Sequence, residues 1–244
     1  MLRREELRWL PWAPLLLAEG LYARLATARL PPAADVQGAT GRGRTVRLAG
    51  LGDTIIAGIG VQSQCDGLVG HLAAACAQRA PLRVEWNAFG QSGATSRKVL
   101  EQLLPAAAAF APQLVVLSIG VNDAVAGVAP ADFKRNLQSI VDSLGTGRAR
   151  PAIVFGGIPP LESFPALPWP LSRLLGNRAR ALQRAAVELT GYRGLRVVVF
   201  PARLQRTGFS ADGFHPGPEG CRTWAGWAAD GFSKALEELS SDAG

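Results

Sequence analysis

Residues 114–123, LVVLSIGVND, carry the reading from which the fold follows. Positions 114–119 form a nearly unbroken apolar run with none of the in–out alternation of a half-solvated strand. A run of this length suits a strand covered on both faces, as in a parallel sheet packed between helices. It ends at Gly120, and the polar pair Asn122-Asp123 follows at once. Open parallel sheets bind ligands beyond the carboxyl ends of their strands. The residues just after each strand therefore decide what the chain does.

Outward from this stretch, strand and helix patterns alternate. Toward the N-terminus, a short apolar strand at 45–51 precedes a helix over 65–78, and a second strand at 82–87 precedes a helix over 95–110 that Pro105 interrupts. Toward the C-terminus the pattern gives a helix at 130–144, opened by Pro130 with Asp132 in its first turn. A strand at 152–155, a helix over 171–190, a strand at 195–200 (LRVVVF) and a closing helix at 217–239 complete it. Five βα units predict an α/β fold: three layers, α/β/α, around a five-stranded parallel, flavodoxin-like sheet.

The 244 residues suit one such domain. Residues 31–44, rich in Pro, Gly, Ala and Thr, read as a linker, which divides the chain into a leading segment and linker at 1–44 and a compact domain at 45–244. In the leading segment, Arg3 and Arg4 precede an apolar run at 9–18, and Ala26-Thr27-Ala28 resembles a cleavage site. Glu5, Glu6, Glu19 and Arg24 break that outline, and the run is too short to span a bilayer. An amphipathic segment that packs on the domain or makes peripheral contact with a membrane is the favoured reading. It goes with a cytoplasmic or membrane-peripheral location ahead of export.

The net charge of +7 comes almost wholly from scattered arginines, since Lys98, Lys134 and Lys234 are the only lysines. Without a basic run interleaved with aromatics, nucleic acid is not an expected partner. Cys65, Cys76 and Cys221 form no C-x-x-C or Cys/His cluster, and His71 and His215 are the only histidines, so no metal site is expected. The cysteines read as small apolar packing residues, with a Cys65–Cys76 disulfide open if the chain is exported. His71, inside a helix among Leu68, Val69 and Leu72, reads as structural.

Four blocks stand just past predicted strands: Gly52-Asp53-Thr54, 87–95 with Gly90 and Gly93, Gly120-Val121-Asn122-Asp123, and Asp212-Gly213-Phe214-His215. A hydroxyl becomes a good nucleophile only when a base takes its proton, and an imidazole is suited to that task. Asp212, three residues before His215, can bond the other ring nitrogen and fix the tautomer. In order and spacing the blocks resemble the SGNH (GDSL-like) lipase/esterase family. The resemblance implies acyl ester hydrolysis with Thr54, Asp212 and His215 as catalytic residues. It also implies an oxyanion hole made by the N–H groups of Thr54 and Gly93 and the side-chain amide of Asn122. No metal or organic cofactor is required. Thr54 is expected where a strand hands over to a helix, with Gly93 preferred to Gly90 because a helix opens directly after it.

The family's nucleophile is serine, and here it is Thr54. The extra methyl restricts χ1 and crowds the approaching acyl carbon. Three readings stay open: a working nucleophile of reduced or specialised activity, an engineered substitution that traps ligand, and a binding protein that has lost catalysis. An acyltransferase is a further rival. The Pro-rich loop 156–169 reads either as a rigid connector or as an acyl-binding wall presenting Ile158, Leu161, Phe164 and Trp169. Trp224 and Trp227 read as core or surface anchors. The expected ligand is a small or lipid-like acyl ester.

Overall fold

The structure, a computed structural model, describes residues 4–26, 30–145 and 150–241. After a 3-10 stretch at Arg4–Trp12 come α1 (Ala13–Ala26), β1 (Gln37–Gly41), β2 (Arg44–Gly52), α2 (Leu68–Arg79) and β3 (Leu82–Gly90). A continuous helical run follows as α3 (Ser96–Lys98), a π-turn (Val99–Leu103) and α4 (Leu104–Ala109). Then come β4 (Leu114–Ser118), α5 (Val121–Ala126), α6 (Pro130–Leu144), β5 (Ala152–Phe155) and α7 (Leu171–Val187). The chain closes with β6 (Arg196–Val197), α8 (Pro218–Gly231) and α9 (Ser233–Ser241).

The sheet order is β1-β3-β2-β4-β5-β6, parallel except for the antiparallel β1–β3 pair. Its parallel part has the flavodoxin-like order expected from the sequence. The two strands that flank β2, β3 and β4, lead away in opposite directions, so a crevice opens at the carboxyl ends of β2 and β4. Strand side chains alternate between two cores, as the period of two requires. Ala49, Leu51, Val115, Leu117, Ile153 and Phe155 face the core shared with the 96–109 run, α6 and α7. Val46, Leu48, Leu114, Val116 and Val154 face the core shared with α2, α8 and α9. Burial on both faces is why 114–119 shows no polar alternation.

The sheet has six strands rather than five. The extra strand, β1, lies inside the segment read as linker, and its sequence QGATG offers no apolar pattern. It is an edge strand held by main-chain pairing, which needs no side-chain signature. Gly38 also passes so close to the Trp86 indole that a Cβ would lie 2.4 Å from it.

Other expected boundaries shift for local reasons. The strand at 195–200 shrinks to two residues because the backbone turns away before Pro201, which has no N–H for a ladder. The closing helix breaks at Phe232 into α8 and α9. Ahead of Pro105 the helix widens, and the Leu104 N–H reaches the Val99 carbonyl five residues back. This π-turn accommodates a proline that cannot complete the normal ladder.

The leading segment forms a helix that rests on α7. Leu16 and Ala23 of α1 pack against the core, Glu19 accepts a 2.9 Å hydrogen bond from the Leu171 N–H, and Trp12 meets Trp169 edge-on. Arg3 and positions 27–28 of the cleavage-like tripeptide lie outside the described residues. Cys65 is exposed, against the packed role expected of it, while Cys76 and Cys221 are buried; all three are free thiols.

Candidate active site

β2 ends at Gly52, which lies so close to β4 that a Cβ there would sit 1.9 Å from the Ser118 carbonyl. The chain then enters a tight irregular turn rather than the helix expected after this strand. Ala57 N–H bonds the Asp53 carbonyl, Gly58 N–H that of Ile55, and Ile59 N–H that of Thr54. Two left-handed glycines, Gly58 and Gly60, stop the turn from propagating as a helix. Thr54 is half-buried at its start.

His215, the expected base, lies on the loop between β6 and α8. Phe209 and Pro216 form an antiparallel bridge, and Ser210 N–H bonds the His215 carbonyl at 2.8 Å, closing a small hairpin. Asp212 sits inside it with its side chain fully buried. One carboxylate oxygen accepts from the Ser210 hydroxyl (2.7 Å) and from the Phe214 and His215 N–H groups (2.9 Å each). The other lies 2.6 Å from His215 Nδ1. Burial alone would raise this carboxyl, but these four donors outweigh it and hold Asp212 well below the ordinary carboxylate range. With Nδ1 committed to an ionised carboxylate, Nε2 is the nitrogen left to accept a proton.

The loops that carry Thr54 and His215 touch. Gly60, at φ +103°, lies where a Cβ would stand 2.6 Å from the Pro216 carbonyl and 3.2 Å from His215 Cβ. Thr54 and His215 both line one cavity of about 350 Å³. Among the described residues no hydrogen bond joins the Thr54 hydroxyl to the imidazole; bonds of this kind often form only with substrate in place.

Gly93 and Asn122 stand at the ends of β3 and β4. Gly93 has φ +74° with open space where a Cβ would be, and it is exposed. Gly90 packs tightly against the turn after β2, where a Cβ would meet the Ala57 nitrogen at 2.2 Å. Asn122 gives one amide hydrogen to the Ala94 carbonyl at 3.1 Å, which ties the α5 start to the Gly93 loop. Among the described residues the Thr54 and Gly93 N–H groups make no main-chain hydrogen bond. Beneath them, buried Asp123 accepts from the Ser96 N–H and hydroxyl, and Asn136 also donates to that hydroxyl. Asp123 therefore braces the loop.

Asp53, beneath Thr54, is fully enclosed. Burial pushes its carboxyl up to about 7, opposed by the Ile55 N–H at 3.2 Å, the Ser118 hydroxyl at 3.4 Å and the nearby His215. The buried Cys76 and Cys221 thiols are pushed up to about 12 and are poor nucleophiles. Burial lowers His71, which lies on α2 and does not line the cavity.

The cavity walls correct the expected acyl wall. Of the four side chains proposed from loop 156–169, only Phe164 lines the cavity. Leu161 and Ile158 turn into the core, Ile158 against Gly120, and Trp169 points outward to meet Trp12. The loop turns so that its apolar side chains serve the core. The missing wall comes instead from Phe200, Phe209, Phe214, Trp224 and Trp227. Trp224 is a core anchor as expected, with Trp227 packed against the same core, and both also line the cavity. α8 starts directly after the His215 loop, and the Trp224 indole N–H bonds the Gly156 carbonyl at 2.6 Å beside Phe200. The available signal was aromatic spacing of i, i+3 on a helix that leaves the His215 loop.

The family model of GDSL-like lipases and acylhydrolases matches residues 51–223. The fold is shared with TesA, at 26% identity and a TM-score of 0.58, covering 78% of this chain and 99% of that one. A Clostridium thermocellum family 3 carbohydrate esterase aligns at 17% identity and a TM-score of 0.61, over 81% of this chain and all (100%) of that one. The psychrotrophic esterase EstA from Pseudoalteromonas sp., in a structure inhibited by monoethylphosphonate, aligns at 21% identity and 0.57, over 78% and 98%. No curated protein matches the chain in sequence.

Proposed function

The chain belongs to the GDSL-like lipase/acylhydrolase family, and from that premise we propose that it hydrolyses apolar acyl esters through an acyl-enzyme on Thr54. The observation that carries this reading is that Thr54 and His215 line one cavity while His215 Nδ1 lies 2.6 Å from Asp212. His215 Nε2 accepts the Thr54 proton as Oγ1 attacks the acyl carbonyl. The N–H groups of Thr54 and Gly93 and the free amide hydrogen of Asn122 stabilise the oxyanion. His215 then returns the proton to the departing alkoxide, and a water deprotonated by the same ring releases the acid. Aromatic walls favour a small or lipid-like acyl group over a sugar, which would need more polar partners.

Treatment with an activated phosphonate followed by peptide mapping tests the mechanism. Modification of Thr54, lost on substitution of His215, is the expected outcome. Modification elsewhere with Thr54 untouched overturns it. The Thr54 methyl favours one second reading, a protein that binds the ester without turning it over. Labelling that fails here but succeeds in Thr54→Ser would select that reading.

A further inference from the structure

α1 is apolar on nearly every side, whereas a helix on a protein surface is normally apolar on one. Leu16, Glu19 and Ala23 turn toward the domain. Leu17, Leu21 and Leu25, at i, i+4 and i+8 on the opposite side, are 76%, 60% and 73% exposed. Tyr22 and Leu15 flank this stripe, and near the start of α1 Trp169 of the 156–169 loop is 66% exposed beside Trp12. Such a patch is a binding surface rather than scattered surface apolarity.

Its charge identifies the occupant. Between positions 7 and 25 the only acid is Glu19, and it is spent inward on the Leu171 N–H. The one acid of the 156–169 loop, Glu162, is ion-paired with Arg180. The cations remain outward: Arg8 and, in the first turn of α7, Arg173 are exposed. Ahead of α1, Arg3 and Arg4 offset Glu5 and Glu6 in charge. An apolar stripe accompanied by exposed arginines and aromatic rings, with Glu19 and Glu162 paired inward, matches the boundary of an anionic bilayer. Fourteen residues reach about 21 Å as a helix, and among the described residues no helix is long and apolar enough to cross a membrane. The contact is therefore one of lying on the surface.

We infer that the free face of α1, together with Trp169, docks the protein on an anionic lipid surface. The loop that carries Trp169 also carries Phe164 on the cavity wall. Docking therefore holds the cavity beside the lipid, and lipid acyl esters become its substrates. That last clause rests on the esterase reading; the docking does not.

The test is co-sedimentation of the full chain with vesicles of phosphatidylcholine alone or with about a third phosphatidylglycerol. Binding to the anionic vesicles, weakened by salt and by at least ~10-fold in the Leu17→Asp, Leu21→Asp double variant, is expected. Hydrolysis of a short soluble ester should be the same in both proteins. A parent chain that hydrolyses the ester but does not bind vesicles overturns the docking alone, and the reverse overturns the esterase reading alone. Quenching of the unmodified chain's tryptophans by brominated lipid provides a check that requires no variant, and its absence overturns docking. Equal binding by the double variant does so too. So does self-association of the parent chain that the double variant abolishes, since it would assign the face to a second copy.

Discussion

Two aspartates lie under one cavity, and the protein treats them in opposite ways. Asp212 is surrounded by four donors at 2.6–2.9 Å and keeps its charge despite a buried side chain. Asp53 has two donors at 3.2 and 3.4 Å, and burial pushes it up to about 7. Asp53 also lies deeper, so depth of burial together with the number and closeness of donors decides which carboxylate remains ionised. The consequence is chemical. The charge sits behind His215, where the proposed mechanism needs an imidazolium oriented and stabilised, while the carboxyl beneath Thr54 is held toward its neutral form.

The strongest way to break this contrast is Asp212→Asn. An amide keeps the shape but loses the charge and reverses the tautomer preference, so kcat/KM should fall about 10⁴-fold. Steady-state kinetics on an activated ester checks it, and a drop under about tenfold would remove Asp212 from the machinery.

Asp53→Asn tests the other half. A raised folded-state carboxyl means that the folded state binds the proton more tightly than the unfolded chain. The stability tied to this group is complete below the unfolded value near 3.8 and is lost as pH rises through about 7. Asp53→Asn should therefore match the parent near pH 4 and exceed it at pH 8, by up to about 4 kcal/mol. Denaturant unfolding at the two pH values reads this. An equal difference at both would show that Asp53 is not held protonated.

Thr54→Ser sharpens the comparison at the atom between the two carboxyls. Removing the methyl should raise kcat up to ~100-fold if misplacement limits attack. A lower rate in the Thr54→Ser variant would instead mark threonine as the specialised nucleophile.

Gly60→Ala probes the seam where the two loops meet. With φ at +103° and a Cβ at 2.6 Å from the Pro216 carbonyl, it should cost about 1–3 kcal/mol. Thermal unfolding together with kinetics would show whether the seam also sets the Thr54–His215 separation.

Much of the scaffold was legible because it depends on short-range pattern. The doubly buried run at 114–119, the Pro130 start of α6 and the order of the four blocks each follow from neighbouring residues. β1 was not legible, because main-chain pairing at a sheet edge leaves no mark in QGATG. The cavity wall was misread for a related reason. An apolar side chain in a loop can face core, cavity or solvent, and Ile158, Phe164 and Trp169 take one fate each.

By itself the sequence determined the alternation of parallel strands and helices, the order of the four blocks and the surroundings of Asp212, whose donors all lie within three residues of it. Tertiary structure alone decided the protonation of Asp53, which depends on Ser118, 65 residues away, and on enclosure by the sheet. It also decided which aromatic rings wall the cavity and which face of α1 stays bare. Desolvation and long-range contact are properties of packed surfaces, and no local stretch of chain encodes them.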